Sequence, residues 1–255
     1  MASASIRKEY YRSGDVDFDD LARHDEDWAT ISKRAKAEGK IDFQDPGVVL
    51  SSLTYRPTVS VRWNYVCWIQ DLLDTTADTY SERYDPSRQV TGLDIGTGAS
   101  AIYPWLACKA RKGWRIVGSD VDAHSLSYAG KNVQANDLAK RIKLSKSTSA
   151  LEEPLLPLDR LGIEELDFCM TNPPFYSSRE DMESSYTGKA AAPSAICTGS
   201  ANEMICLDGD VGFVDRIIDE SLVLRGRVQW YTAMLGKLSS LQTVVERLKK
   251  EGVRN

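Results

Sequence analysis

From Val90 onward the chain alternates short apolar runs with segments of helical periodicity, and this alternation restricts the possible folds more than any other feature. The apolar runs are VTGLDI (90–95), WRIVGS (114–119), a brief one at Ile142–Leu144, LDFCMT (166–171) and VQWYTAML (228–235). Near-continuous apolar runs of this length read as strands buried on both faces. Helix-like stretches stand among them: Ala101–Lys112, SLSYAGKNVQAN (125–136), VGFVDRIIDESL (211–222) and LQTVVERLKK (241–250). Alternation of the two implies an α/β fold with a parallel sheet and right-handed crossovers. Upstream, VRWNYVCWIQDLL (61–73) has apolar residues at helical spacing, and the rest of 1–90 reads as short helices with loops. Residues 176–205 are small and polar and read as a long loop. A length of 255 residues suits one large domain or a domain with an appendage.

Several function classes are disfavoured. No window approaches about 18 consecutive apolar residues, so no membrane-spanning helix is expected. The opening MASASIRKEYYRSGD has no apolar stretch and is not read as a secretory signal. Cys67, Cys108, Cys169, Cys197 and Cys206 form no CxxC pair and read as reduced thiols. His24 and His124 lack ligand spacing, so neither a metal site nor histidine catalysis is expected. The net charge of −5 argues weakly against a nucleic-acid partner, but phosphates need only a positive face. Three basic clusters permit one: Arg7, Lys8 and Arg12; Lys33, Arg34, Lys36 and Lys40; Lys140, Arg141, Lys143 and Lys146.

Two motifs carry the chemistry. Asp94-Ile95-Gly96-Thr97-Gly98-Ala99-Ser100 lies between a strand and a helix, where glycines permit a tight turn and close approach to a ligand. Asp120 ends the next strand, 22 residues after Gly98, where a carboxylate can accept from ribose hydroxyls. The pair suits any adenosine-containing cofactor, and the missing third glycine of GxGxxG weakens a nicotinamide dinucleotide. The second motif, Asn172-Pro173-Pro174-Phe175, follows a buried strand. Ligands of open parallel sheets lie beyond the carboxyl ends of strands. The Asn172 side-chain oxygen and the Pro173 carbonyl can both accept from one NH₂ group, and an aromatic ring can stack on the base that bears it. Adenine's amine is a poor nucleophile because its lone pair is delocalised. Two acceptors can orient it towards a methyl sulfonium without a strong base.

With those motifs, PTVSVRWNYVCWIQDLL (57–73), EMICLDGDVGFVDRIIDESL (203–222) and WYTAMLGK (230–237) make the chain resemble the methyltransferase-like protein 16 family. Its bacterial relative is the large-subunit ribosomal RNA adenine methyltransferase F, and the likeness runs from about Tyr10 to the end of the chain. The resemblance implies a class I, Rossmann-like methyltransferase sheet with a small, mostly helical N-terminal module. The module is placed at 1–75 and the methyltransferase domain at 76–255. It implies methyl transfer from S-adenosyl-L-methionine to adenine N6 in structured RNA of the U6 small nuclear or ribosomal type. The chain is expected to be monomeric and to reside in the nucleus or cytoplasm, with no membrane and no metal. Residue by residue, Arg62 is assigned to the cofactor carboxylate, Asp94, Gly96, Gly98 and Ser100 to the cofactor turn, and Asp120 to the ribose, where the family usually has Glu. Thr148 is assigned to the cofactor adenine, Asn172 to Phe175 to catalysis with Asn172 also beside the cofactor, and Tyr176 and Phe213 to the flipped adenine. The chain departs from the family by lacking a stretch between Tyr55 and Pro57 and the last two strands of the sheet, so a C-terminally truncated, five-stranded sheet is expected. Alternative readings are a protein glutamine methyltransferase, disfavoured by Phe175, and a non-catalytic RNA-binding protein of the same fold.

Overall fold

The computed structural model describes residues 60–76, 85, 87–148, 153–174, 176–178, 206 and 208–253. Its elements, in chain order, are α1 (Ser60–Thr75), β1 (Val90–Ile95), α2 (Ile102–Ala110), β2 (Trp114–Asp120), α3 (Ala123–Ala135), β3 (Ile142–Lys146) and α4 (Leu158–Leu161). They continue with β4 (Leu166–Thr171), α5 (Gly209–Leu224), a 3₁₀ turn (Arg225–Arg227), β5 (Val228–Tyr231) and α6 (Leu238–Lys250). The expected strands and long helices are all present, β1 and β4 to the residue and the others shifted by up to a few residues at their ends. Only α4 and the 3₁₀ turn were not anticipated, because three or four residues are too few for periodicity to register. β5 ends earlier than its apolar run. Its continuation still bonds to β4, through Thr232 N–H to the Cys169 carbonyl and Met234 N–H to the Thr171 carbonyl, each 3.0 Å.

The strands form one five-stranded sheet in the order β3-β2-β1-β4-β5, and every pairing is parallel. The α/β class and strand count therefore agree with the sequence reading. From β1 the chain winds first to β2 and β3 on one side, then crosses to β4 and β5 on the other. The β1/β4 border is thus a topological switch point, where ligands of such sheets bind beyond the strand ends.

Each face of the sheet is covered. On one, α1, α2 and α3 bury Val66, Ile69, Leu73, Leu106 and Val133 against Val90, Ile116, Phe168 and Met170. On the other, Ile217 of α5 and Leu158 of α4 meet Leu93, Ile95, Val117 and Cys169. The inner strands read as unbroken apolar runs because both faces are dry. The expected division at 75/76 falls directly after α1. α1 had been grouped with an N-terminal module, but its apolar stripe lies in the main core and the helix is a layer of the α/β domain. The remainder of the expected module, residues 1–59, lies outside the described residues.

The α1 face is packed closely enough to demand glycine at one place. A Cβ on Gly92 would stand 2.3–2.8 Å from three atoms of the Phe168 ring, itself 0% exposed. Gly92→Ala should therefore lower the unfolding free energy by about 1–3 kcal/mol through overpacking. Urea denaturation measures the loss, and Phe168→Leu in the Gly92→Ala background should recover part of it. An unchanged midpoint in Gly92→Ala would refute the contact.

Candidate active site

At the switch point, Ile95 lies opposite Thr171 in the β1–β4 register. The Thr171 hydroxyl donates to the Ile95 carbonyl at 2.8 Å, fastening the two strand ends. Paired strands run about 5 Å apart, so the glycine turn and Asn172 leave the sheet side by side. The turn needs glycine twice, since Gly96 and Gly98 hold φ of 77° and 65°. It is anchored from three directions. Gly96 and Thr97 N–H groups both donate to the Ser119 carbonyl at 2.9 Å. The Gly98 N–H donates to Asp120 Oδ2 at 2.8 Å. From α3, the Asn132 side-chain amide donates to the Ala99 carbonyl at 3.2 Å. Thr97 nests over Gly118, where any Cβ would meet its side chain at 2.8–3.1 Å.

Several polar atoms around this rim are buried and have no hydrogen-bond partner among the described residues: both Asp94 carboxylate oxygens, the Thr97 and Tyr103 hydroxyls, and Asn172 Oδ1. A buried acceptor left unmade costs about 1–3 kcal/mol, so a cluster of them marks a place where the fold leaves polar capacity for something else. Asp94 is 0% exposed, and burial pushes its carboxyl up to about 7. The nearby Thr97 hydroxyl opposes that push without a well-formed hydrogen bond, and the Asp120 carboxylate reinforces it. Tyr103, in the first turn of α2, is likewise pushed up by burial, while the Arg62 guanidinium beside it works in the opposite direction. Arg62 itself is exposed. The Tyr103 hydroxyl of α2 therefore lies within electrostatic reach of both the Arg62 cation of α1 and the Asp94 carboxyl of β1, next to the glycine turn.

An RNA methyltransferase family, Methyltransf_10, matches residues 50–255. The chain belongs to that family. Among its relatives, a U6 small nuclear RNA (adenine-(43)-N(6))-methyltransferase of Schizosaccharomyces pombe is 39% identical over 199 residues, covering 78% of this chain and 48% of that protein. RNA N(6)-adenosine-methyltransferase METTL16 of Homo sapiens is 38% identical over 202 residues, covering 77% and 34% respectively. The chain thus spans half or less of these relatives. The hMettl16 catalytic domain in complex with MAT2A 3'UTR hairpin 1 superposes with a TM-score of 0.73 at 32% identity, covering 95% of this chain and 85% of that one. The N-terminal domain of human METTL16 in complex with SAH gives 0.64 at 30% identity, covering 96% and 88%.

Within this member of the Methyltransf_10 family, the residues singled out in the sequence are distributed as follows. Arg62, Asp94, Gly96, Gly98, Ser100, Asp120 and Asn172 all line or adjoin the rim just described. Asp120 is buried and already engaged, accepting from Gly98 N–H and, at 2.9 Å, from Asp122 N–H, so its further acceptor capacity is what remains for a ligand. Thr148 follows β3 and is exposed, with its hydroxyl and N–H both turned to Glu153. Pro173 is buried, and Pro174 is partly so. The Tyr176 carbonyl accepts from Cys206 N–H at 3.0 Å. Phe213 sits one turn into α5, partly buried against the cluster that includes Ile95. Phe175 and the clusters at 7–12 and 33–40 lie outside the described residues.

The third basic cluster is partly a correction. Arg141 donates to the carbonyls of Cys108, Arg111 and Lys112 at 2.5–3.3 Å, so it caps the C-terminus of α2 and does not offer a free charge. Lys140, Lys143 and Lys146 are exposed. Sequence reasoning missed Tyr103 and Asn132. Neither carries a motif signal, and only their position five residues after Gly98 and one helix beyond Asp120 could have suggested them.

The state of Asp94 makes a pH prediction. Its carboxyl titrates about 7 in the fold against an ordinary 3.8. Between those values the folded chain keeps a proton that the unfolded chain has released, so this group loses stability for the ligand-free protein as pH rises from about 4 to about 7. Asp94→Asn should therefore gain stability over the parent as pH increases through that window, read from denaturant midpoints at several pH values. Parallel curves for the two proteins would contradict the burial of a lone carboxyl.

Proposed function

We propose that this chain is an S-adenosylmethionine-dependent RNA (adenine-N6)-methyltransferase acting on an adenosine in structured RNA of the U6 small nuclear RNA kind. The observation that carries the proposal is Asn172 Oδ1: a buried acceptor without a partner among the described residues, one strand from a glycine turn beside other such groups. The names of the relatives support the same activity and substrate class. A nuclear location follows from that substrate, and residues 1–59, with their two basic clusters, are proposed to hold phosphates.

The donor set fits the cofactor. Its amino-acid end needs a cation for the carboxylate and an anion for the ammonium, roles proposed for Arg62 and Asp94, both of which act on the Tyr103 hydroxyl. Open space lies where a Cβ on Gly96 would project, so the turn can be approached closely. Asp120 is proposed to accept from the ribose, Ser100 to line the cofactor turn and Thr148 to touch the cofactor adenine. When bound, the cofactor supplies an electrophilic methyl on a positively charged sulfur.

The chain's own residues present the nucleophile. Adenine N6 carries two hydrogens; Asn172 Oδ1 accepts one and the Pro173 carbonyl the other. Both acceptors pull hydrogen density away and turn the nitrogen lone pair out of the ring plane. Because acceptance by neutral oxygens suffices, no histidine is required; as the N–C bond forms the methyl–sulfur bond breaks, S-adenosylhomocysteine leaves, and the amine's extra proton passes to solvent. Phe175, Tyr176 and Phe213 are proposed to pack around the extruded base, whose unstacking costs a few kcal/mol.

Asn172→Ala should lower methyl transfer by about a hundred-fold or more while RNA affinity stays within about two-fold, since orientation is lost and phosphate contacts are kept. Radiolabel transfer to a hairpin RNA with an unpaired adenosine, alongside a filter-binding titration, measures both. Turnover that survives the change refutes the role given to Asn172, and label appearing in protein but never in RNA refutes the substrate class. Arg62→Ala should instead weaken cofactor binding by about ten-fold or more through loss of the charge-assisted contact. Calorimetry with S-adenosylhomocysteine reads that loss, and unchanged affinity would remove Arg62 from the cofactor site.

A further inference from the structure

Tyr65 has no part in the chemistry above, yet it touches both halves of the site. It lies on α1 and is 8% exposed. Its hydroxyl stands 2.7 Å from Thr232 Oγ1, and Thr232 Oγ1 donates to the Cys169 carbonyl at 2.9 Å. A threonine hydroxyl has one hydrogen, so the direction is set: Tyr65 donates to Thr232, and Thr232 donates to Cys169. Burial pushes the Tyr65 hydroxyl far up, which keeps it a donor at every working pH, and the Thr171 backbone lies beside it. Thr232 N–H also reaches the Cys169 carbonyl, and Met234 N–H reaches that of Thr171, at 3.0 Å each. The strand end that presents Asn172 is thereby held from α1 and from the segment after β5. At the same time the Tyr65 ring meets the Tyr103 ring edge-on, with centroids 5.8 Å apart and planes at 84°. Tyr103 is the hydroxyl that faces Arg62 and Asp94.

We propose that Tyr65, acting through Thr232, is a positioning residue that sets the separation between Asn172 and the Arg62–Tyr103–Asp94 cluster. This rests on the methyltransferase reading, in which that separation fixes the alignment of the amine with the transferred methyl. Misplacement by about 1 Å can cost on the order of a hundred-fold in rate. Loss of the hydroxyl relay therefore acts on turnover more than on affinity.

Tyr65→Phe removes only the hydroxyl. In the full chain, assayed with S-adenosylmethionine and a hairpin RNA bearing an unpaired adenosine, kcat should fall about ten-fold, with KM for RNA and affinity for S-adenosylhomocysteine within about two-fold. Thr232→Val should reproduce the loss, and Thr232→Ser, which keeps the hydroxyl, should stay close to the parent. The double variant Tyr65→Phe/Thr232→Val should be no worse than the poorer single one, because both cut one relay. A second readout needs no turnover: the side-chain amide resonance of Asn172, assigned by its loss in Asn172→Ala. It should move in Tyr65→Phe and in Thr232→Val, and stay in place in Val223→Ala at the 83%-exposed end of α5. A resonance unmoved in both relay variants overturns the proposal whether or not RNA is methylated. An active parent with unaltered kcat in Tyr65→Phe overturns it too, as do proportional losses of melting temperature, affinity and kcat. If the resonance moves but the parent transfers no methyl group, the relay stands and the enzyme reading falls.

Discussion

The parallel pairing of β1 with β4 is the interaction on which the site depends. It brings together two segments 76 residues apart in sequence, Ile95 and Thr171, and the Thr171 hydroxyl bond to the Ile95 carbonyl fastens them at the last possible rung. Beyond that rung neither chain can continue as strand. The glycines turn one segment away and the prolines stiffen the other. The candidate site lies where these two segments depart from a common ladder. Its width is therefore set by strand spacing, which varies little between proteins. That invariance explains how a reaction needing fixed geometry can be built at this border.

Electrostatically the rim is unfinished. Among the described residues, Asp94, Thr97, Tyr103 and Asn172 all bury polar atoms without a hydrogen-bond partner, while other polar groups are engaged in holding elements together. Asp122 caps α3 by accepting from His124 and Ser125 N–H groups at 3.1 and 3.0 Å. Arg111 is paired with Asp74 at 2.7 Å, tying α2 to α1. Arg247 reaches Asp219 at 2.6 Å and Glu251 at 2.8 Å, seating α6 on α5. The contrast separates polar residues that hold the fold from those that the fold holds in readiness. An aspartate raised to about 7 by burial shows the strain of that readiness, since the charge it would carry has no local counterpart of its own element.

α1 ties these parts together. Its apolar stripe is an ordinary core layer, with Val66, Ile69 and Leu73 each about 1% exposed. Its polar side chains are aimed differently: Arg62 towards Tyr103, and Tyr65 towards Thr232 and the end of β4. One helix thus supplies packing to the sheet and geometry to the rim. A domain boundary drawn after it, as its sequence position suggested, separates the site from one of its own walls. The apolar periodicity of α1 was legible, but periodicity says only that a helix buries one face and not which sheet receives it.

Much of the rest was legible as well. VTGLDI and LDFCMT coincide with β1 and β4 to the residue, because strands buried on both faces leave unbroken apolar runs bounded by glycine and proline. The glycine turn, Asp120 and Asn172 could be named from their places at strand ends. Tyr103, Asn132 and Thr232 could not, because each works through a partner 33 or more residues away, or through a ring contact with no sequence signature. Arg141 shows the reverse error: four neighbouring cations resembled a phosphate surface until one was found spent on the carbonyls of α2. Local spacing and chemistry alone thus determined the strand and helix inventory, the parallel class and the two motifs. The tertiary structure decided which unpaired groups share one cleft and which charges are already consumed. Hydrogen bonding and burial depend on partners distant in the chain, and a linear pattern carries no record of those distances.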